Sequence, residues 1–429
     1  MGKTALYIGD FKFGIMDAQS QLVLGNCEIL RALGYRVVLI GNDNSLAHGR
    51  SLCDSKADMR GFDMYNVYFS KGIQDLFRVA AIHRQIISVA GRYQDLNLVI
   101  CYGTSTFAVE LSLLASWCRQ RNVAFVANCV DLPCQAHGST LERCIKTVDR
   151  KWREYVYKYK TDGIIAVSKY IADHYGKNSE KPIVVVPPLK DTLDIHPPDA
   201  EEWKQINMVY IGVPFPIDGR KVSEKAYKDR IDRFIEMLCQ IREHTNPFQF
   251  HVYGINKDQY LKVIKQHSSL LENNGDIIRF HGRIPHSMAL EAVKGADYCV
   301  LYRCVNEMTM AGFSSKLVES ISCGTPLILT DTSDYCLYLQ NGVHCHLLDA
   351  NDATTSKETL ISILKMDRKA IAAMKTACYE SRMFDYRNYT SEMGKFIETV
   401  FAGGKRREER FANKESMGFQ RLRRSVNMR

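Results

Sequence analysis

The feature that most constrains this chain is a rhythm of short apolar runs separated by helix-length stretches. Ala5-Leu6-Tyr7-Ile8, Tyr35 to Ile40, Leu96 to Cys101, Val123 to Asn128, Gly163 to Val167 and Ile183 to Val186 are largely apolar at consecutive positions. A strand with one face in water alternates apolar and polar residues. A strand that is apolar throughout is buried on both faces, as in a parallel sheet covered by crossover helices. The pattern from Ala18 to Leu33, stopped by Gly34, reads as the first such helix. The rhythm breaks at Pro187-Pro188 and Pro197-Pro198, which suit neither a helix interior nor a central strand, so the linker is placed there. It restarts with Met208 to Gly212, Phe248 to Gly254, Ile277 to Gly282, Asp297 to Arg303, Pro326 to Thr330 and His344 to Leu348. Helices are expected over Glu224–Arg242, Lys257–Leu271, His286–Lys294 and Ser315–Ser322. The expectation is an α/β protein with two doubly wound domains in tandem, residues 1–190 and 205–380, and a last helix within 384–401.

A length of 429 residues gives each domain its own core. The longest apolar runs fall well short of the roughly 20 residues needed to cross a bilayer. The first residues lack a signal peptide's apolar block, so a cytoplasmic protein is expected. Fourteen scattered cysteines without a Cys-x-x-Cys pair read as buried thiols rather than a disulfide scaffold. His344-Cys345-His346 resembles a ligand cluster, but strand alternation sends the cysteine to one face and both histidines to the other, and packing is the preferred reading. The net charge of +9 is uneven: residues 405–429 hold nine basic and three acidic side chains. That basic tail also carries Phe411, Met417, Phe419 and Leu422, so it reads either as a contact with an anionic membrane surface or as a solvated chain end. The body shows no basic platform interleaved with aromatics, and nucleic acid is not expected as a partner.

In open α/β sheets, ligands bind beyond the carboxyl ends of strands, and two such domains facing each other leave a cleft between them. The most informative segment follows a strand: Arg303, a loop, then Ala311-Gly312-Phe313-Ser314-Ser315-Lys316-Leu317-Val318-Glu319. Gly312 allows close approach of a ligand to the backbone. Ser314 or Ser315 caps a helix whose first N–H groups form an anion site. Lys316 runs against the helix dipole unless an anion such as a diphosphate is bound, and Arg303 is a second candidate cation for it. Glu319, one turn on, suits a ribose 2′,3′-diol, and equally a surface pair with Lys316.

This segment, with Cys323-Gly324-Thr325-Pro326 after it, resembles the donor site of retaining nucleotide-sugar glycosyltransferases of the GT-B fold, family 4. The likeness is nearest to bacterial capsular and surface polysaccharide enzymes. Phe250-His251-Val252-Tyr253-Gly254, Phe280-His281-Gly282-Arg283-Ile284-Pro285-His286 and Lys228-Asp229-Arg230 extend it. The resemblance implies two Rossmann-like domains facing across a cleft, with the last helix crossing back onto the first. It implies that Glu319 holds the ribose, that Lys316 and Arg303, with the backbone N–H groups of Ser315 and Lys316, hold the diphosphate, and that Gly312, Phe313 and Ser314 belong to the donor site. Lys228 and Arg283 are further donor-site candidates. One departure is Ala311, where family members often carry a glutamate that contacts the sugar.

In the first domain, Gly9 to Gly14 lacks the Gly-x-Gly-x-x-Gly fingerprint and reads as a loop over phosphates or acceptor. Asp17 either binds a hydroxyl there or caps the next helix. Asp131 and His137, after another strand, are candidates for acceptor or donor-sugar hydroxyls. Lys151 to Lys160 is basic and aromatic at helical spacing and reads as an ordinary amphipathic helix. The resemblance implies transfer with retention from a nucleoside diphosphate sugar to a glycan or lipid-linked acceptor. No cofactor and no metal are expected, since no Asp-x-Asp motif is present, and the protein is placed in the cytoplasm or on the inner face of the membrane. A sugar-nucleotide epimerase and a non-catalytic sugar-nucleotide-binding subunit are the alternatives.

Overall fold

The computed structural model describes residues 2–12, 18–42, 57–59, 61–67, 78–103, 107–132, 140–177, 179–193, 205–217, 223–224 and 227–403. Asp17, His137 and the 405–429 tail lie outside the described residues.

The first sheet contains β1 (Thr4–Gly9), β2 (Arg36–Asn42), β3 (Ala57–Met59), β4 (Phe62–Val67), β5 (Leu96–Tyr102), β6 (Ala124–Cys129), β7 (Gly163–Ala166) and β8 (Ile183–Val185). Their order is β3-β4-β2-β1-β5-β6-β7-β8, parallel except for the β3–β4 pair at the edge. Between them run α1 (Ala18–Ala32), α2 (Val79–Ala90), α3 (Ala108–Gln120), α4 (Thr140–Tyr159) and α5 (Lys169–Gly176). The apolar runs explain the register: Leu6 lies between Val38 and Val99, and all three are buried between helical layers.

The second sheet is parallel throughout its described pairs: β9 (Ile206–Ile211), β10 (Phe248–Tyr253), β11 (Ile278–Gly282), β12 (Tyr298–Leu301), β13 (Leu327–Thr330) and β14 (Cys345–Leu348), in the order β11-β10-β9-β12-β13-β14. Its helices are α6 (Ile231–Ile241), α7 (Lys257–Val263), α8 (Ser268–Asn273), α9 (His286–Gly295), α10 (Glu307–Ala311), α11 (Ser315–Ser322), α12 (Tyr335–Tyr338), α13 (Ala353–Ile363) and α14 (Arg368–Ser381). The chain thus folds as two doubly wound α/β domains.

Two expected helices differ. The one expected from Glu224 begins only at Ile231. The Lys228 and Asp229 amides bond to the Pro214 carbonyl, and the Arg230 amide donates to the Tyr302 carbonyl at 2.7 Å. Those bonds tie the segment to two strand ends and turn Asp229 inward. The helix expected over Lys257–Leu271 breaks at Ile264, because burying both Ile264 and His267 bends the chain through a 3-10 turn. His267 is then bonded to the Tyr260 hydroxyl at 2.9 Å and to Glu236 at 2.8 Å.

The chain passes between the domains twice, side by side. The Lys190 amide donates to the Phe384 carbonyl at 2.9 Å, and the Tyr386 amide donates to the Lys190 carbonyl at 3.1 Å. Beyond the second crossing, a helix over 390–403 buries Met393, Phe396, Ile397 and Val400 in the core of the first sheet. Cys345 is buried while His344 and His346 are partly exposed, with His346 beside the Tyr298 ring. Every cysteine among the described residues is a free thiol.

Candidate functional site

β9 and β12 are neighbours in the second sheet, although the chain leaves β9 toward one edge and returns at β12 to build the other. This is the switch point where a crevice opens. At the end of β9, Gly212 has φ +145°, and a Cβ there would lie 2.5 Å from Lys316 Cε and 2.8 Å from Nζ. Glycine is therefore required for the Lys316 side chain to lie across the strand end. The Lys316 ammonium donates to Asp229 Oδ2 at 2.5 Å and stands 4.9 Å from the centre of the Tyr210 ring.

Asp229 is fully buried and accepts from the Tyr210 hydroxyl at 2.7 Å and from Arg303 Nε at 2.6 Å. Burial pushes its pKa up, but the Arg303 and Lys316 charges outweigh that and hold it well below the usual carboxylate range. Arg303, expected beside the diphosphate, lies inside the domain at 2% exposure. Its other guanidinium nitrogens reach the Tyr335 hydroxyl at 3.1 Å and Ser314 Oγ at 3.4 Å. Its place is to fix Asp229 and the start of α11 from behind.

The Ser314 hydroxyl, engaged by Arg303, does not cap α11, so the first N–H groups of that helix carry no side-chain cap. A helix start in that condition is a ready anion site. Gly312 brings this loop against the first domain: a Cβ there would lie 3.2 Å from Asp131 Oδ1. Next to it, the Ala311 carbonyl accepts from Ser168 Oγ of the first domain at 2.6 Å. Phe313 packs edge-on against Tyr335, Tyr338 and Phe384, so its ring serves the core beneath the loop.

Lys228 is exposed to solvent yet surrounded by protein mass. Desolvation lowers its pKa, as do the Arg303 and Lys316 charges, while Asp131 and Asp229 oppose them. Asp131 faces these cations from the first domain, its pKa raised by desolvation against the pull of Lys228 and Arg303. Arg283 is exposed just after β11.

Glu319, in the second turn of α11, has Oε1 at 3.4 Å from Lys190 Nζ and 3.7 Å from His286 Nε2. Gln21 of α1 links both partners: its Oε1 accepts from Lys190 Nζ, and its Nε2 lies 2.8 Å from His286 Nε2. The structure thus brings Lys316, Arg303, Ser314, Ser315, Gly312, Lys228 and Asp131 together, with Glu319 one helical turn along. Asp229, Tyr210, Lys190 and Gln21 are the participants that sequence reasoning did not assign. His286 is a fifth, and only it and Asp229 had a signal, in the Phe280 to His286 segment and in Lys228-Asp229-Arg230.

Residues 221–380 match the family model described as glycosyl transferases group 1. The phosphatidyl-myo-inositol mannosyltransferase of Mycobacterium leprae is 24% identical over 170 residues, 40% of this chain and 43% of that protein. That of Mycolicibacterium smegmatis is 25% identical over 138 residues, 32% of this chain and 35% of that protein. The match thus spans less than half the length of either relative. Among solved structures, sucrose-phosphate synthase from Thermosynechococcus elongatus superposes with a TM-score of 0.67 at 14% identity, covering 93% of this chain and 99% of its own. Anabaena HepE in complex with UDP and glucose gives 0.63 at 12% identity, covering 92% and 100%. At such identities the likeness is one of fold. The likeness to group 1 glycosyl transferases thus lies in residues 221–380, within a chain whose two Rossmann-like domains have the GT-B fold.

Proposed function

We propose that the protein is a retaining glycosyltransferase of family 4 type. It moves a sugar from a nucleoside diphosphate sugar to a hydroxyl of a glycan or lipid-linked acceptor, in the assembly of capsular or other surface polysaccharide. The observation that carries this is Lys316, laid over Gly212 at the switch point and at an uncapped helix start, with Lys228 exposed nearby. The names of the mannosyltransferase relatives and of the HepE complex with UDP and glucose support the same class of donor.

Breaking the bond between the anomeric carbon and the diphosphate leaves negative charge on the departing phosphate. Lys316, Lys228 and the N–H groups of Ser315 and Lys316 stabilise it electrostatically. Asp229 stays neutralised by Arg303 when Lys316 turns to the phosphate. Glu319 accepts the ribose hydroxyls, and Asp131 presents a carboxylate to the sugar beside the loop where Ala311 replaces the family's glutamate. The acceptor hydroxyl attacks from the face the diphosphate leaves, and its proton passes to the leaving phosphate. Asp17, His137 and Arg283 keep their proposed places around acceptor and donor, and no metal is assigned a step.

The test is incubation with UDP-, GDP- and ADP-sugars, with and without EDTA, followed by chromatography and NMR of the product anomer. Transfer or slow hydrolysis with retained configuration, unchanged by EDTA, is expected. Interconversion of sugars, or binding without turnover, overturns the transferase reading. We also propose that residues 405–429 contact an anionic inner membrane surface. No helix among the described residues is long and apolar enough to cross a membrane. Removing the tail should lower recovery with vesicles containing phosphatidylglycerol, and unchanged recovery refutes the contact.

A further inference from the structure

We infer that Lys190, held in place by Gln21, is a positioning residue for Glu319. It orients that carboxylate toward the ribose and ties ribose recognition to the arrangement of the two domains. The inference rests on the reading of Glu319 as the ribose ligand and adds what makes it one.

Glu319 has a side chain only 14% exposed, and a charge that covered is ordinarily paired. Its contacts come from outside its own helix. Lys190 belongs to the first crossing between the domains, and His286 begins α9. Both contacts fall on Oε1, which leaves the second oxygen to accept from a diol.

Lys190 itself has little freedom. Its amide and carbonyl are both bonded to the returning chain, at Phe384 and Tyr386, so its backbone is fixed where the two crossings lie side by side. Its ammonium is gripped by Gln21 Oε1, and Gln21 is buried in α1 of the first domain while its amide nitrogen meets His286 in the second. Lys190 of the crossing and His286 of α9 thus meet at one carboxylate oxygen on α11, and Gln21 of α1 bonds to both of them. A diol accepting geometry at Glu319 exists only while these four elements hold this arrangement. Changing the domain arrangement moves Lys190 relative to Glu319 and with it the carboxylate. The chemistry recognised is a vicinal diol on a nucleoside diphosphate, so a donor lacking that diol gains nothing from Lys190.

The test compares wild type, Lys190→Met, Gln21→Leu and Glu319→Ala for binding of UDP, GDP and ADP, each against its 2′,3′-dideoxy form, by titration calorimetry. Melting curves monitor the fold. Lys190→Met should weaken the ribonucleotide about tenfold, the loss expected for a hydrogen bond to a charged group, and leave the dideoxy form unchanged. In turnover it should raise the donor KM with kcat held within about twofold. Gln21→Leu should act in the same direction to a smaller extent. Equal weakening of both nucleotide forms by Lys190→Met, or no weakening of either, overturns the inference. If Glu319→Ala discriminates between the forms and Lys190→Met does not, the ribose reading stands and this inference falls. If Glu319→Ala does not discriminate either, the ribose reading itself is lost.

Discussion

Replacing Asp229 by asparagine tests the electrostatic centre of the site. Asp229 is completely buried and is shared by two cations, Arg303 Nε at 2.6 Å and Lys316 Nζ at 2.5 Å. Lys316 can turn toward solvent when its partner is neutral, but Arg303, at 2% exposure, cannot. Asparagine keeps an oxygen that can accept from Arg303 Nε but carries no charge, so the buried guanidinium is left with neutral partners, that amide and the Tyr335 and Ser314 hydroxyls. Removing one member of a buried pair costs about 3–5 kcal/mol. For a domain of this size that lowers Tm by about 6–20 °C. Acid should narrow the gap. The folded carboxyl titrates below its ordinary value of 3.8, so its contribution is fully present above that value and is lost as the pH falls through and below it. Scanning calorimetry of wild type and Asp229→Asn at about pH 7 and about pH 2, well below the unfolded carboxyl's value, reads both effects. The double variant Asp229→Asn/Arg303→Met removes the stranded charge and should lose less than the two single variants added together. An Asp229→Asn protein melting within about 2 °C of wild type at neutral pH refutes the reasoning, as does a gap that acid leaves unchanged.

Other outcomes follow from the same geometry. Lys316→Ala should lower the transfer rate about 10²–10³-fold, as loss of one transition-state donor does, and a wild-type rate in a transfer assay removes the donor-site assignment. Gly212→Ala places a methyl 2.5 Å from Lys316 Cε at φ +145°, so activity should fall along with Lys316→Ala while circular dichroism keeps the native spectrum. An active Gly212→Ala protein shows that Lys316 need not lie there. Lys228 has a pKa below 10.5, through desolvation and the Arg303 and Lys316 charges, so it loses its proton at a lower pH than an ordinary lysine. Nucleoside diphosphate affinity should weaken as pH rises toward that value, and Lys228→Met should be weaker but flatter with pH. Identical profiles in calorimetry remove Lys228 from the phosphate site.

Much of the site was legible because it lies where local patterns end. Ser315–Ser322 forms α11 with the expected bounds, since Gly312, two serines and then Leu317, Val318 and Ile321 spell a loop, a helix start and a buried face in order. Lys316 was conspicuous because a cation at a helix start calls for an anion. Arg303 shows the limit of that reasoning. Chain position placed it at the end of a strand near the ligand, but only burial reveals that its guanidinium turns inward to Asp229. The helix expected from Glu224 was misread for the same reason. The bonds from residues 228–230 to Pro214 and Tyr302 join segments far apart in the chain, and periodicity carries no record of them.

What the chain determined by itself is the layered architecture. Strands apolar on both faces cannot stand without helices over them, and two prolines at each end of a polar stretch divide one sheet from the next. What only the tertiary structure decided is which charges meet. Lys190 and Glu319 are separated by 129 positions and Arg303 and Asp229 by 74, and side chains so far apart in sequence find each other only after the domains have packed. A short-range pattern records the faces of an element, whereas an ion pair records where two elements come to rest.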